Sequence, residues 1–171
     1  MGDIVTQRDI GSLIDVKSLS TLLSWTAGGG ADSATFTGTV IDREAFATGS
    51  LPNTVDVGVW YSATLGSGHT LSLQFDLQDS ADNSAFSDYA TEAAAVIATG
   101  PSGGGVVTGI ARMAVANTNA PSGHPSVDVR GARRYLRPMV IPHLSATGTD
   151  TAQIVAIGVF AGFDFLAAPA T

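Results

Sequence analysis

The chain has 171 residues, of which 44% are hydrophobic and 13% charged, with 15 acidic against 8 basic side chains and a formal net charge of -7. That length suits one domain with a single core. The acidity disfavours general nucleic-acid binding, which needs clustered lysines and arginines to neutralise phosphate, and the hydrophobic content is not that of a disordered chain. The lack of any cysteine removes disulfides, thiolate metal sites and cysteine nucleophiles together.

The N-terminal stretch MGDIVTQRDIGSLIDV has neither the basic start nor the apolar core of a signal peptide, and no run in the chain approaches a membrane span. Ile10, Leu13, Ile14, Val16, Leu19, Leu22, Leu23 and Trp25 hold neither strand nor helix periodicity. This predicts an extended arm over residues 1–33, jointed at Gly28, Gly29 and Gly30, that packs on its own domain or reaches a neighbour. Residues 34–171 then form the domain.

Phe36 and Val40 alternate with threonines, which predicts a strand from Ala34 to Asp42. In TVDVGVWYSATL, Val55, Val57, Val59 and Tyr61 share one face and Trp60 lies on the other. After Gly66–Gly68, residues Leu71, Leu73, Phe75 and Leu77 alternate with polar partners in the cleanest strand pattern of the chain. The segment 86–98 is rich in alanine, and its helix propensity predicts a short helical turn leading into a strand at Val96 and Ile97. A strand follows from Val106 to Asn117, with Val107 and Ala111 opposite Thr108, Ile110 and Arg112, and then a long loop to Pro125.

From Gly131 to Phe165 two apolar arms flank a Ser-Thr-Gly-Asp loop, which predicts a β-hairpin. Pro138 and Pro142 donate no ladder hydrogen bond, so the first arm must bulge or face an edge there. In the second arm Ile154, Val155, Ile157, Val159 and Phe160 are nearly continuous, which argues burial on both faces. Short strands with close turn signals and no long helix point to an antiparallel β-sandwich.

No constellation for chemistry stands out. His69, His124 and His143 are not spaced for a shared metal. Asp76, Asp79 and Asp82 with Asn83 offer oxygens but lack the glycine and terminal glutamate of an EF-hand loop, so a polar turn is the plainer reading. No phosphate-binding or nucleophile-elbow motif occurs, so neither an enzyme nor a cofactor is expected. Arg112, Arg130, Arg133, Arg134 and Arg137 crowd the C-terminal half, either as an interface cluster for acidic partners or as solvated strand ends. Trp60, Tyr61 and Tyr135 are candidates for an aromatic sugar platform or for packing.

Three stretches, DREAFATGSLPNTVDVGVWYSATL, LSLQFDLQDSADNSAFSDYAT and GARRYLRPMVIPHLSATGTDTAQIVAIGVF, resemble in their order the tailed-phage capsid decoration or cement proteins. The resemblance runs from about Asp42 to Phe160 and departs from the family pattern at Pro138 and Pro142. It implies a jelly-roll-like sandwich with an extended N-terminal arm, bound to the capsid exterior as a homo-oligomer, commonly a trimer. The partner would be the major capsid protein, with no nucleic acid or membrane partner, after synthesis in the host cytoplasm. Trp25, Trp60, Arg133, Arg134, Tyr135 and Arg137 are the expected interface residues. A head-tail connector, a tail protein or a carbohydrate-binding sandwich are the alternatives.

Overall fold

The computed structural model describes residues 14–46, 51–112, 126–146 and 148–161. These form strands β1 (Ile14–Ser18), β2 (Leu23–Thr26), β3 (Phe36–Thr37), β4 (Ile41–Asp42), β5 (Thr54–Leu65), β6 (Thr70–Ser80), β7 (Ser87–Thr99), β8 (Gly105–Arg112), β9 (Val127–Asp128), β10 (Tyr135–Leu144) and β11 (Thr151–Ala161). Among the described residues the only helical piece is a 3-10 turn at Arg43–Ala45, capped by the Asp42 side chain accepting from the Glu44 N–H.

Three pairs of short strands each share a lane: β1 and β2 both pair with β11, β3 and β4 with β10, and β8 and β9 with β5. The first sheet therefore reads β1/β2, β11, β5, β8/β9, and the second β3/β4, β10, β6, β7. All neighbours are antiparallel. With the eight lanes numbered along the chain, the sheets run 1-8-3-6 and 2-7-4-5, the strand order of a jelly roll. The fold is thus an all-β antiparallel sandwich of jelly-roll type. Its core is the inner faces of both sheets, Val55, Val57, Val59 and Phe160 against Leu71, Leu73, Leu77, Leu136 and Leu144.

The alternation in β5 and β6 is realised residue by residue, with Val55, Val57, Val59 and Tyr61 inward on one sheet and Leu71, Leu73, Phe75 and Leu77 inward on the other. The prolines act as their chemistry requires. The Pro138 carbonyl accepts from the Gly38 N–H and the Pro142 carbonyl from the Ser33 N–H. Because N–H and C=O of one residue point to the same side of a strand, both missing donors face the β3/β4 lane, not β6. That lane is the one broken into two-residue pieces, while β10 pairs with β6 along its whole length.

The neighbouring edge of the first sheet is also broken. Between β1 and β2, Leu19 turns into the core, its N–H donating to the Ala156 carbonyl while the Ala156 N–H donates to Ser20 Oγ. The Leu19 carbonyl then accepts from the Thr39 N–H, which ties the two interrupted edges together. Only Gly38 leaves room for this approach, because a Cβ there would overlap both the Leu19 carbonyl oxygen and the Pro138 ring.

Several expectations are corrected. Residues 14–33 are not an arm: β1 and β2 are an edge lane of the sandwich, and Leu19, Trp25 and Ala27 are core residues. The rest of the expected arm, residues 1–13, lies outside the described residues, as do Met113–Pro125, which hold the end of the expected 106–117 strand and His124. The strand expected from Ala34 to Asp42 is reduced to β3 and β4. The arms β10 and β11 do not pair with each other but belong to opposite sheets, because their connection is long enough to cross the ~10 Å between sheets. The alanine-rich segment is strand throughout, pairing with β6 from Ser87 to Thr99 through three register shifts. Ladder hydrogen bonds and packing there override alanine's weak helix preference.

Gly38→Ala should lower stability by about 1–3 kcal/mol, the usual cost of forced overpacking, read as a Tm several degrees lower in calorimetry. Gly30→Ala, whose Cβ would meet nothing within 4 Å, is the matched control and should leave Tm unchanged.

Candidate interaction surface

The outer face of the first sheet carries an apolar patch that crosses its lanes, flanked by the polar Ser62, Thr64, Thr108, Thr151 and Gln153. Register places Val16 beside Val159, Ile157 beside Gly58, and Val155, Trp60 and Ile110 in one row. Trp60 is 39% exposed, Val16 60% and Ile110 71%. Gly58, lacking a side chain, floors a shallow depression of about 320 Å³ bordered by Trp60, Ile110, Ile157, Val159 and the Asp56–Arg112 ion pair. The β11 pattern predicted burial on both sides, and the chain buries one: Ile154, Ala156 and Phe160 are in the core, whereas Ile157 is 39% exposed.

The sequence-predicted residues are dispersed. Trp60 lies on this face. Trp25 does not reach any surface, being 5% exposed in the core with its ring nitrogen unpartnered. Tyr61 points inward and its hydroxyl donates to the Ile97 carbonyl. Tyr135 stands on the opposite sheet beneath the Arg134 guanidinium, 5.0 Å from its ring centre. Trp60, Tyr61 and Tyr135 therefore form no common platform for a sugar.

The arginines of the C-terminal half gather towards one end of the sandwich with Arg43, and each of these has a partner within the chain. Arg133 donates Nε–H to Asp79 Oδ1 at 2.8 Å and its backbone N–H to Oδ2 at 2.8 Å. Arg134 grips Asp42 with Nε and Nη2 at 3.0 and 2.7 Å and reaches Glu44 at 2.9 Å. Arg137 donates to Gln78 and lies 3.9 Å over the Phe86 ring centre, and Arg130 pairs with Asp128. Arg43, 3% exposed, donates to the carbonyls of Ala132, Arg133 and Pro52. The Arg134 side-chain bonds hold Asp42 below the usual carboxylate range, and those of Arg130 do the same for Asp128. Burial pushes Asp79 up, but Arg133 outweighs it and leaves the group lowered.

The histidines take structural places at the other end. His69 Nδ1 meets Asp150 Oδ2 at 2.8 Å, and Asp150, 2% exposed, also accepts from the Gly66 N–H. His143 Nδ1 contacts Ser33 Oγ at 3.0 Å and Asp32 Oδ1 at 3.6 Å. Ser33 and Asp32 share one ring nitrogen, so the imidazole does not bridge them as a serine–histidine–aspartate relay requires. The acid cluster is likewise divided: Asp79 belongs to Arg133, and Asp82 accepts from the N–H groups of Ser84 and Ala85, closing the polar turn. Among the described residues no three His, Asp or Glu side chains converge to hold a metal.

Asp76 is the exception to this pairing. It sits mid-strand on the outer side of the second sheet, 3% exposed, with Oδ1 unpartnered among the described residues. Burial raises its pKa, the Thr91 hydrogen bond offsets part of this, and the Asp88 charge adds to it.

No protein-family model and no curated protein matches the chain. Among solved structures the chain is similar to one of infectious bursal disease virus, Gt strain, with 10% identity and a TM-score of 0.39 over 86% of this chain and 32% of that one. It is similar also to the VP2 subviral particle of the same virus, with 8% identity and a TM-score of 0.38 over 86% and 32%. A third, from the Gx strain, has 11% identity and a TM-score of 0.31 over 88% and 40%. The chain spans about a third of the first two.

Asp76→Asn should raise Tm near pH 7 and lose that advantage in acid. The folded Asp76 pKa lies above its ordinary 3.8, so the wild type gains stability from this group as pH falls through the raised value towards 3.8. Asp42, Asp79 and Asp128 act oppositely, because their lowered pKa values give stability that is full above 3.8 and lost below it. Melting curves of both proteins from neutral pH to below 3.8 check this: the two Tm values should converge as Asp76 protonates, and parallel curves would contradict it.

Proposed function

We propose that the chain is a structural virion protein, a non-enzymatic, cofactor-free capsid decoration or cement protein that binds the outside of a phage head and strengthens contacts between major capsid subunits. The observation that carries this reading is the apolar patch on the outer face of the first sheet, which no strand covers among the described residues and where Val16, Trp60, Ile110 and Ile157 stand exposed together. A two-sided apolar strand such as β11 is a strand meant to be covered on both sides. A patch of this kind marks a surface that a partner protein buries.

The resemblance over Asp42 to Phe160 supports the class of particle and a position on its exterior. Cementing needs no reactive group. Many copies each bury a moderate area, and their joint engagement makes weak single contacts strong. A head-tail connector has the same needs but a different copy number. The sugar-binding reading finds no support, because its three aromatic residues lie on opposite sheets or in the core.

Purified chain added to phage heads that lack it should bind saturably, at a copy number on the scale of the capsid subunits, and raise the temperature at which the heads rupture. Occupancy limited to a single ring of copies would identify a connector instead, and absence of binding would refute the reading.

A further inference from the structure

We propose that the outer face of the first sheet packs against the same face of a second copy of this chain, closing a two-fold dimer. The inference names the occupant of the surface described above and rests on reading it as an assembly surface.

Charge selects the partner. The chain carries a net charge of -7, yet the charged side chains at outward positions of this face, Asp56 and Asp128, are paired with Arg112 and Arg130. The face is neutral by internal pairing, so a strongly acidic or basic partner finds no complement on it. Two copies of the chain meet here without the repulsion that their acidic remainder would impose elsewhere.

Shape agrees. Ile110 stands beside the notch over Gly58, with register placing Gly58 opposite Arg112 and Trp60 opposite Ile110. A knob next to a hole on one surface is self-complementary under a two-fold axis, since Ile110 of each copy enters the notch of the other. Sheets pack in this way at about 10 Å with their side chains interdigitated. Four lanes spaced ~4.8 Å apart and the length of β5 give a face of about 19 Å by 40 Å, so that packing of the whole face, apolar patch and polar flank together, covers roughly 750 Å² per copy. That is close to the roughly 800 Å² each partner contributes to a stable complex of standard size. An isologous contact closes at two, so the unit is a dimer and not a trimer.

Light scattering of the purified chain, with no heads present, should give twice the 17.3 kDa chain mass at micromolar concentration. Ile110→Glu should weaken self-association by at least about 30-fold, the scale of a central interface residue. Its circular dichroism and Tm should stay unchanged, because Ile110 is 71% exposed. Gly58→Leu is the second variant. A Cβ at residue 58 lies 3.8 Å from Ile110 Cγ2, an ordinary contact, so the backbone accepts a side chain there; the variant's Tm should match the wild type while the filled notch excludes the second copy. A monomer, a trimer, or a dimer indifferent to both variants overturns the inference. Monomers that bind heads, and lose that binding with Ile110→Glu, would give the face to the shell protein and leave the cement reading intact. Dimers that bind no head would do the reverse.

Discussion

Pro138 and Pro142 carry no N–H, and this covalent fact decides which side of β10 can hold a continuous ladder. Strand β6 takes the intact side along ten residues of register. The other side receives only fragments, β3 and β4, and the gap between them lets Gly38 approach the Pro138 carbonyl and Thr39 reach across to Leu19. The edge of the second sheet thereby fastens to the edge of the first. The two sheets are tied along this side by the Thr39–Leu19 backbone hydrogen bond, and the core behind it is sealed by Leu19.

Electrostatics fixes the ends rather than the middle. One end is pinned by arginine–carboxylate pairs and by Arg43 donating into three carbonyls, the other by the Asp150 and Asp32 carboxylates accepting loop N–H groups. Because Arg133 and Arg134 are bound within the chain, reversing their charge would disturb Asp79 and Asp42 before it touched any partner. Exposed pairs of this kind contribute little singly. Their value is positional, since they set the loops that link the lanes.

Much of the sandwich was legible where one face is buried and the other wet. In β5, and in β6 up to Phe75, the alternation is strict, and the inward apolar residues were identifiable from spacing alone, whereas the burial of Asp76 on the outer side of β6 was not. The donorless character of the two prolines also read correctly, because it is a property of the residue and not of its context. What failed was pairing. A polar loop between apolar arms is equally compatible with a hairpin and with a crossing to the other sheet, and nothing local in β10 and β11 distinguishes them. The alanines of β7 misled because helix preference is a weak force beside a ladder that pairs nine of the strand's thirteen residues with β6. Trp25 was expected at an interface because residues 1–33 lack periodicity and read as an arm, and an edge lane interrupted at Leu19 must lack it. The apolar face itself was visible in β11 as two-sided hydrophobicity, but its extent across Val16, Gly58 and Ile110 depends on strand order.

Strand β7 has a consequence for how such a molecule can aggregate. It ends the second sheet, and its outer backbone groups have no strand beside them among the described residues. A straight edge of that length would be a template for adding chains without limit. Its three register shifts against β6 break the even spacing of those groups, so a second β7 cannot align along it. Growth by sheet extension is disfavoured at this edge, so the longest strand among the described residues is the one least able to seed a fibre.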